Sequence, residues 1–202
     1  PRVRQRYHTT HLTPRKQDIS RLLRTGAPIG GQWWLEMLSF AAFTTVVARM
    51  GDAAMAASQA FVALLSISFM QAGGLATAVQ TLVGRYIGSG QQANAERSFR
   101  SGLKLAVFLA GAIAMLFASV PDLLMGIFTD DAEVLQLGRP LLWIGALFQF
   151  FDSFGIVADG ALRGAGDTRW PFMVRFAAAW LVFVPLAYWL GIVMQGGLSG
   201  AW

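Results

Sequence analysis

The stretch Gly26-Ala-Pro-Ile-Gly-Gly-Gln-Trp-Trp-Leu-Glu36-Met-Leu-Ser-Phe40 opens an apolar run that continues to about residue 49. A helix of about 20 apolar residues crosses the hydrocarbon of a bilayer, so this run is long enough to span, yet it carries a carboxylate near its middle. A second run repeats the pattern in Leu147-Phe-Gln-Phe-Phe-Asp152-Ser-Phe-Gly155. A carboxylate at such a depth costs roughly 2.5–3.5 kcal/mol on insertion scales. Side chains that expensive persist where something charged, a proton or a metal cation, visits them. The two acids point to an ion-coupled transporter.

Composition carries the same class. Of the 202 residues 55% are hydrophobic and 13% charged, with a mean hydropathy of +0.50. A water-soluble domain of this length usually carries about twice that charge. The net charge of +5 does not imply nucleic acid as a partner, because the basic residues lie between apolar segments rather than on one patch. There is no cysteine, hence no disulfide framework and no thiolate chemistry. Both histidines, His8 and His11, fall in the polar opening arm. With neither residue at depth and no nucleophile elbow, the chain is not expected to be an enzyme. It begins with Pro rather than Met and stops at Trp202 as a new apolar run opens near 198, which reads as a piece of a longer protein.

The expected architecture is an all-α, polytopic membrane helix bundle. Spans are placed at about 26–49, 55–86, 102–121, 138–162 and 171–194, behind a basic arm at 1–25. The second span is long enough to tilt or to bend at Gly73-Gly74. Residues 1–25 hold seven basic groups against Asp18, and the 85–104 connector holds Arg85, Arg97, Arg100 and Lys104 against Glu96. The 121–139 connector instead sets Asp122, Asp130, Asp131 and Glu133 against Arg139. This alternation places the arm in the cytoplasm of a cell whose inner membrane holds the bundle. Within the arm, Ile19, Leu22 and Leu23 share one helical face, the pattern of a short interfacial helix.

At a rise of about 1.5 Å per residue, Glu36 and Asp152 each lie about 15 Å from the cytoplasmic face. Matched depth suits two ligands of one sodium ion, with Ser39 and Ser153 as further oxygens, or two partners in one proton site. The alternative is two acids satisfied separately. Asp159 lies seven residues beyond Asp152, about 5 Å from the cytoplasmic end, with Arg163 at i+4 and Arg175 at similar depth. These three read as a structural ion pair near the interface. Trp33, Phe40, Gln59, Phe148 and Gln149 are the candidate lining of a cavity for a lipophilic cation, through apolar burial and cation–π attraction. Pro185, mid-span, is the candidate hinge of the fifth helix.

Several runs resemble the multidrug and toxic compound extrusion (MATE) family: Gly26-Ala-Pro28 with Glu36 and Phe40, Gly51-Asp-Ala-Ala-Met-Ala-Ala-Ser-Gln59, and Val83-Gly-Arg-Tyr-Ile-Gly-Ser-Gly90. So do Phe128-Thr-Asp-Asp-Ala-Glu-Val134, Phe151-Asp152, and Gly160-Ala-Leu-Arg-Gly-Ala-Gly-Asp-Thr-Arg-Trp-Pro171. The resemblance implies twelve membrane helices in two six-helix lobes. This chain would be the second lobe, from the seventh helix to the eleventh, with the twelfth cut off near Trp202. It implies export of amphipathic, often cationic compounds, exchanged for sodium or protons, and no other cofactor. Glu36 and Asp152 fall where one bacterial subgroup carries its coupling acids. One departure is Ala63-Leu-Leu65, where many relatives carry an asparagine. The implied partners are the bilayer, the first lobe and small organic cations. A lipid flippase of related architecture wants a cationic cavity, and a membrane scaffold has no need of buried acids. These are the two alternatives.

Overall fold

The computed structural model describes residues 16–194 and 196–202, so His8, His11 and the first fifteen residues of the expected arm lie outside the described residues. Every regular element among the described residues is helical: α1 (Lys16–Ala48), α2 (Asp52–Gly88), α3 (Gln92–Ser119), α4 (Pro121–Gly126), α5 (Ala132–Gly164), α6 (Arg169–Val193) and α7 (Gly197–Ala201). By length and composition, α2, α3, α5 and α6 can each cross a membrane. The first helix is 33 residues long but is not among those four, because Gln32, Trp33, Trp34 and Glu36 dilute its apolar stretch.

Two hairpins turn on the same cap. At the end of α2 the Gln91 N–H donates to Tyr86 O at 2.8 Å and the Gly90 N–H to Ile87 O at 3.0 Å, with Gly90 at φ 73°. At the end of α5 the Asp167 N–H donates to Leu162 O and the Gly166 N–H to Arg163 O, with Gly166 at φ 90°. Both are Schellman endings, whose left-handed residue only glycine enters without steric cost. Asp167 then starts α6 by accepting from the backbone N–H of Arg169 and Trp170. The Gly-rich Gly160–Pro171 stretch is therefore a helix stop and a helix start in twelve residues.

Packing divides the bundle. One group is α2, α3 and α5, held by glycines that admit a neighbouring backbone or, at Gly102, a side chain. A Cβ at Gly160 would lie 2.5 Å from Ala76 O, one at Gly164 2.5 Å from Gln80 O, and one at Gly102 2.2 Å from Val79 Cγ2. Gly160-x-x-x-Gly164 is thus the small-residue face on which α5 meets α2. The other group is α1 with α6, which pack on each other. The groups join through an apolar cluster near one end, where Phe43 and Val47 of α1 and Ala187 of α6 meet Phe61, Leu141 and Leu142. The short α7 folds onto this cluster: Leu198 and Ala201 are buried, and the Trp202 ring meets Phe43 and Phe61 edge-on at 4.7 and 4.8 Å.

One expectation changes. Ile19, Leu22 and Leu23 do not form a separate interfacial helix, since α1 runs unbroken from Lys16; the three side chains are exposed on its first turns. Nothing between 16 and 28 breaks the helix, and Pro28, which lacks an N–H, is taken up inside it. The long second span is helical throughout, Gly73-Gly74 included. Irregularity appears instead in α6, where Ala178–Phe183 and Trp189–Val193 are wound as π-helix on either side of Pro185. Proline has no N–H to give the carbonyl four residues back, and a wider turn is one way the ladder accommodates the loss.

Candidate functional site

Where α1 and α6 part from α5, away from the apolar cluster, the helices line a half-open cavity of about 280 Å³. Glu36, Gln32 and Trp33 enter it from α1, Phe69, Thr77 and Gln80 from α2, Asp159 and Arg163 from α5, and Arg175 from α6. Glycine closes its floor: Gly160 lets α5 sit on α2 at Ala76, which also fixes Asp159 and Arg163 one residue before and three after.

A single polar network crosses this cavity. The Arg175 Nε donates to Asp159 Oδ2 at 2.9 Å, while its Nη1 stands 3.8 Å from Glu36 Oε1. Glu36 Oε1 also accepts from Gln32 Nε2 at 3.0 Å, one helical turn earlier. The other end of that amide, Gln32 Oε1, accepts from Arg163 Nη2 at 3.1 Å. Two arginines therefore meet two acids, one directly and one through an amide. Gln32 is 4% exposed, so the amide that joins them is shielded from water, where such contacts are strongest. Arg163 Nε is buried without a hydrogen-bond partner among the described residues.

Of the two arginines expected beside Asp159, one pairs with it and the other goes elsewhere. Asp159 pairs with Arg175, but Arg163 turns from Asp159, its i−4 neighbour, to Gln32 across 131 residues of sequence. The reason is the cavity: Arg163 projects into it toward α1, where Gln32 offers a buried carbonyl oxygen. The arginine that pairs with Asp159 also faces Glu36.

Asp152 is half-buried on α5 and lies within the electrostatic field of Arg175, Glu36 and Asp159. It is not one of the residues that border the cavity. Among the described residues no three His, Cys, Asp or Glu side chains converge as a metal site. Ser39 and Ser153, beside the two acids in sequence, are buried. Of the five expected lining residues, Trp33 borders the cavity, its ring edge-on to Phe69 at 6.4 Å. Phe40 and Phe148 are exposed and do not border the cavity. Gln59 is exposed near Met55, one turn earlier. Gln149 is 1% exposed, and its Oε1 accepts from the Ser68 hydroxyl.

Sequence reasoning missed the Gln32 relay and the three α2 residues, Phe69, Thr77 and Gln80. Gln32 stood one turn from Glu36, a signal for the amide–acid bond but not for Arg163. The α2 face was legible only through the Gly160-x-x-x-Gly164 spacing, which says that a backbone comes close without saying whose.

A family model described as MatE matches residues 28–189. The chain is 34% identical over 194 residues to the probable multidrug resistance protein NorM of Pseudomonas aeruginosa, covering 94% of this chain and 40% of that protein. To its namesake in Thermotoga maritima it is 30% identical over 191 residues, covering 95% and 41%. It thus spans about two fifths of the length of the curated relatives it matches. Among solved structures, MATE in the straight conformation superposes with a TM-score of 0.83 at 21% identity, over 90% of this chain and 40% of that one. An outward-facing multidrug resistance MATE family transporter of the MOP superfamily gives 0.83 at 20%, over the same shares. At those identities the likeness is one of fold. Together with a family match over most of the chain, it leaves one assignment: this all-α membrane bundle belongs to the MatE family of multidrug and toxic compound extrusion transporters.

Proposed function

We propose that the chain is the second lobe of a cation-coupled antiporter that exports amphipathic, often cationic compounds by alternating access. The observation that carries the reading is the network itself: acids from two helices, α1 and α5, face one arginine in a helix-lined cavity, with a third acid, Asp152, in their field. Such a cluster is balanced delicately enough that one added cation changes which groups pair. Trp33 and Phe69 supply an apolar, π-rich wall beside it.

In this reading Glu36 and Asp152 are the coupling acids. A proton, or a sodium ion with Ser39 and Ser153 as added oxygens, enters from outside and neutralises them. Drug and cation then compete for the same negative charge, and that competition is the coupling. Each inward charge contributes about 2.3 kcal/mol per 100 mV of membrane potential. The basic 85–104 connector and the acidic 121–139 connector support an arm on the cytoplasmic side of an inner membrane. The remaining partners are the lipid bilayer and the first lobe.

The test is dye-cation efflux by the full-length protein in proteoliposomes, with a sodium or a proton gradient imposed separately. Stimulation by one gradient, abolished in Glu36→Gln and Asp152→Asn, is the expected result. Indifference to both gradients removes the antiport reading and leaves a flippase or a scaffold.

A further inference from the structure

We propose that Asp159 is a positioning residue: it tethers Arg175 away from Glu36 and so sets how tightly Glu36 takes the incoming cation. The inference rests on the reading of Glu36 as a coupling acid and adds to it a resident competitor. Arginine presents a fork of donors that suits one carboxylate bidentately. Here the fork is divided between helices. Its Nε is hydrogen-bonded to Asp159 at 2.9 Å, and its Nη1 stops 3.8 Å short of Glu36, outside hydrogen-bonding range. Among the described residues Glu36 has one neutral donor, Gln32, and an arginine held back by about 1 Å relative to a charge-assisted bond.

The charged groups around Arg175 are Glu36 on α1, Asp152 and Asp159 on α5, and Arg163 through Gln32. Without Asp159, the guanidinium loses its anchor on α5 and closes on Glu36, occupying the anion that the cation needs. Without Arg175, Glu36 loses its competitor and binds the cation more tightly. The two single changes act in opposite directions, and the second masks the first. A purely structural ion pair would make both changes damage the same way. Because α5 makes few backbone contacts with α1 or α6, the guanidinium is held at Asp159 by its own hydrogen bond.

The experiment measures the half-saturating cation concentration for dye efflux by the full-length transporter in proteoliposomes. Sodium chloride is titrated at fixed pH, and protons are titrated without sodium. Asp159→Asn is expected to raise it about tenfold and Arg175→Gln to lower it about tenfold, within the usual range of site coupling. The double variant, which removes both members of the Arg175–Asp159 pair, should match Arg175→Gln. Shifts of the same sign, or a double variant at the sum of the singles, overturn the tether. So does an unchanged value in Asp159→Asn, which would mean that the arginine moves to Asp152 instead. Glu36→Gln separates the two levels. If it keeps full cation-stimulated efflux, the coupling reading falls; if it abolishes stimulation while Asp159→Asn is silent, only the tether falls.

Discussion

Replacing Gly160 by alanine tests whether backbone contact between α5 and α2 holds the site together. The added Cβ would lie 2.5 Å from Ala76 O, and ordinary contact begins at 3.4 Å, so the helices must part by about 0.9 Å. Both sides of the contact are backbone, and no side chain can rotate away. Overpacking of this kind costs about 1–3 kcal/mol, partly offset by the gain of up to about 1 kcal/mol for alanine over glycine in a helix. Gly74→Ala in α2 is the control, since a Cβ there meets nothing within 4 Å, and it keeps only the gain. The two variants should differ by about 2 kcal/mol, or roughly 4–8 °C in unfolding temperature for a domain of this size. Thermal unfolding in detergent micelles reads the difference. Gly164→Ala meets Gln80 O in the same manner, and one helix displacement relieves both, so the double variant should lose less than the sum. If Gly160→Ala unfolds no earlier than Gly74→Ala, the close approach of α5 to α2 is wrong, and with it the placement of Asp159 and Arg163.

Gln32→Leu removes the amide between Glu36 and Arg163 and leaves two partly buried charged groups short of a partner, at about 1–3 kcal/mol; an unaltered unfolding temperature would contradict the relay. Ser68→Ala strips the hydroxyl donor from Gln149, whose Nε2 is already without a partner among the described residues. It should cost about 1–3 kcal/mol, and adding Gln149→Leu should recover most of it, because an apolar pair leaves nothing unsatisfied. Trp202→Phe forfeits the 3.2 Å bond to the Ser58 hydroxyl but keeps a ring against Phe43 and Phe61, for about 1 kcal/mol. Trp202→Ala should cost about 3 kcal/mol through the void it leaves, and equal losses in the two would show that the ring contacts contribute nothing.

Much of the fold could be read in advance because membrane helices are written in long apolar runs punctuated by charge. What escaped was angle and reach. Counting residues inward placed Glu36 beside Asp152 and set Asp159 apart as shallower. Depth is one coordinate, and partnership also depends on which way each helix turns its face. Asp152 and Asp159 lie on one face of α5, two turns apart, so either could oppose α1. The outcome was decided by Arg175, whose long side chain starts on α6 and ends on Asp159 with its outer edge toward Glu36. No local pattern announces a contact such as Arg163 to Gln32. The π-helical turns around Pro185 were half legible: a proline marks a lost hydrogen bond but not how many residues share the repair.

The distribution of packing argues that the site is also the place where this lobe gives way. In α5, 44% of the apolar window is buried against the rest of the chain; in α6 the share is 11%. Tight glycine contacts bind α2, α3 and α5 into one body, while α6 leans chiefly on α1 and contains two wide π turns about a proline. Displacing α1 and α6 together would strain few apolar contacts beyond the Phe43 end. It would, however, break Arg163–Gln32 and Arg175–Asp159, the side-chain hydrogen bonds that join α5 to the other body among the described residues. Under the proposed antiport, a cation arriving at Glu36 would act on those same charges. Binding and movement would then be coupled through one small set of side chains, at the energy of rearranging ion pairs rather than of tearing a core. Apolar packing resists small displacements in many directions, whereas an arginine between two acids has two good positions and little in between, which is what a two-state transport cycle requires.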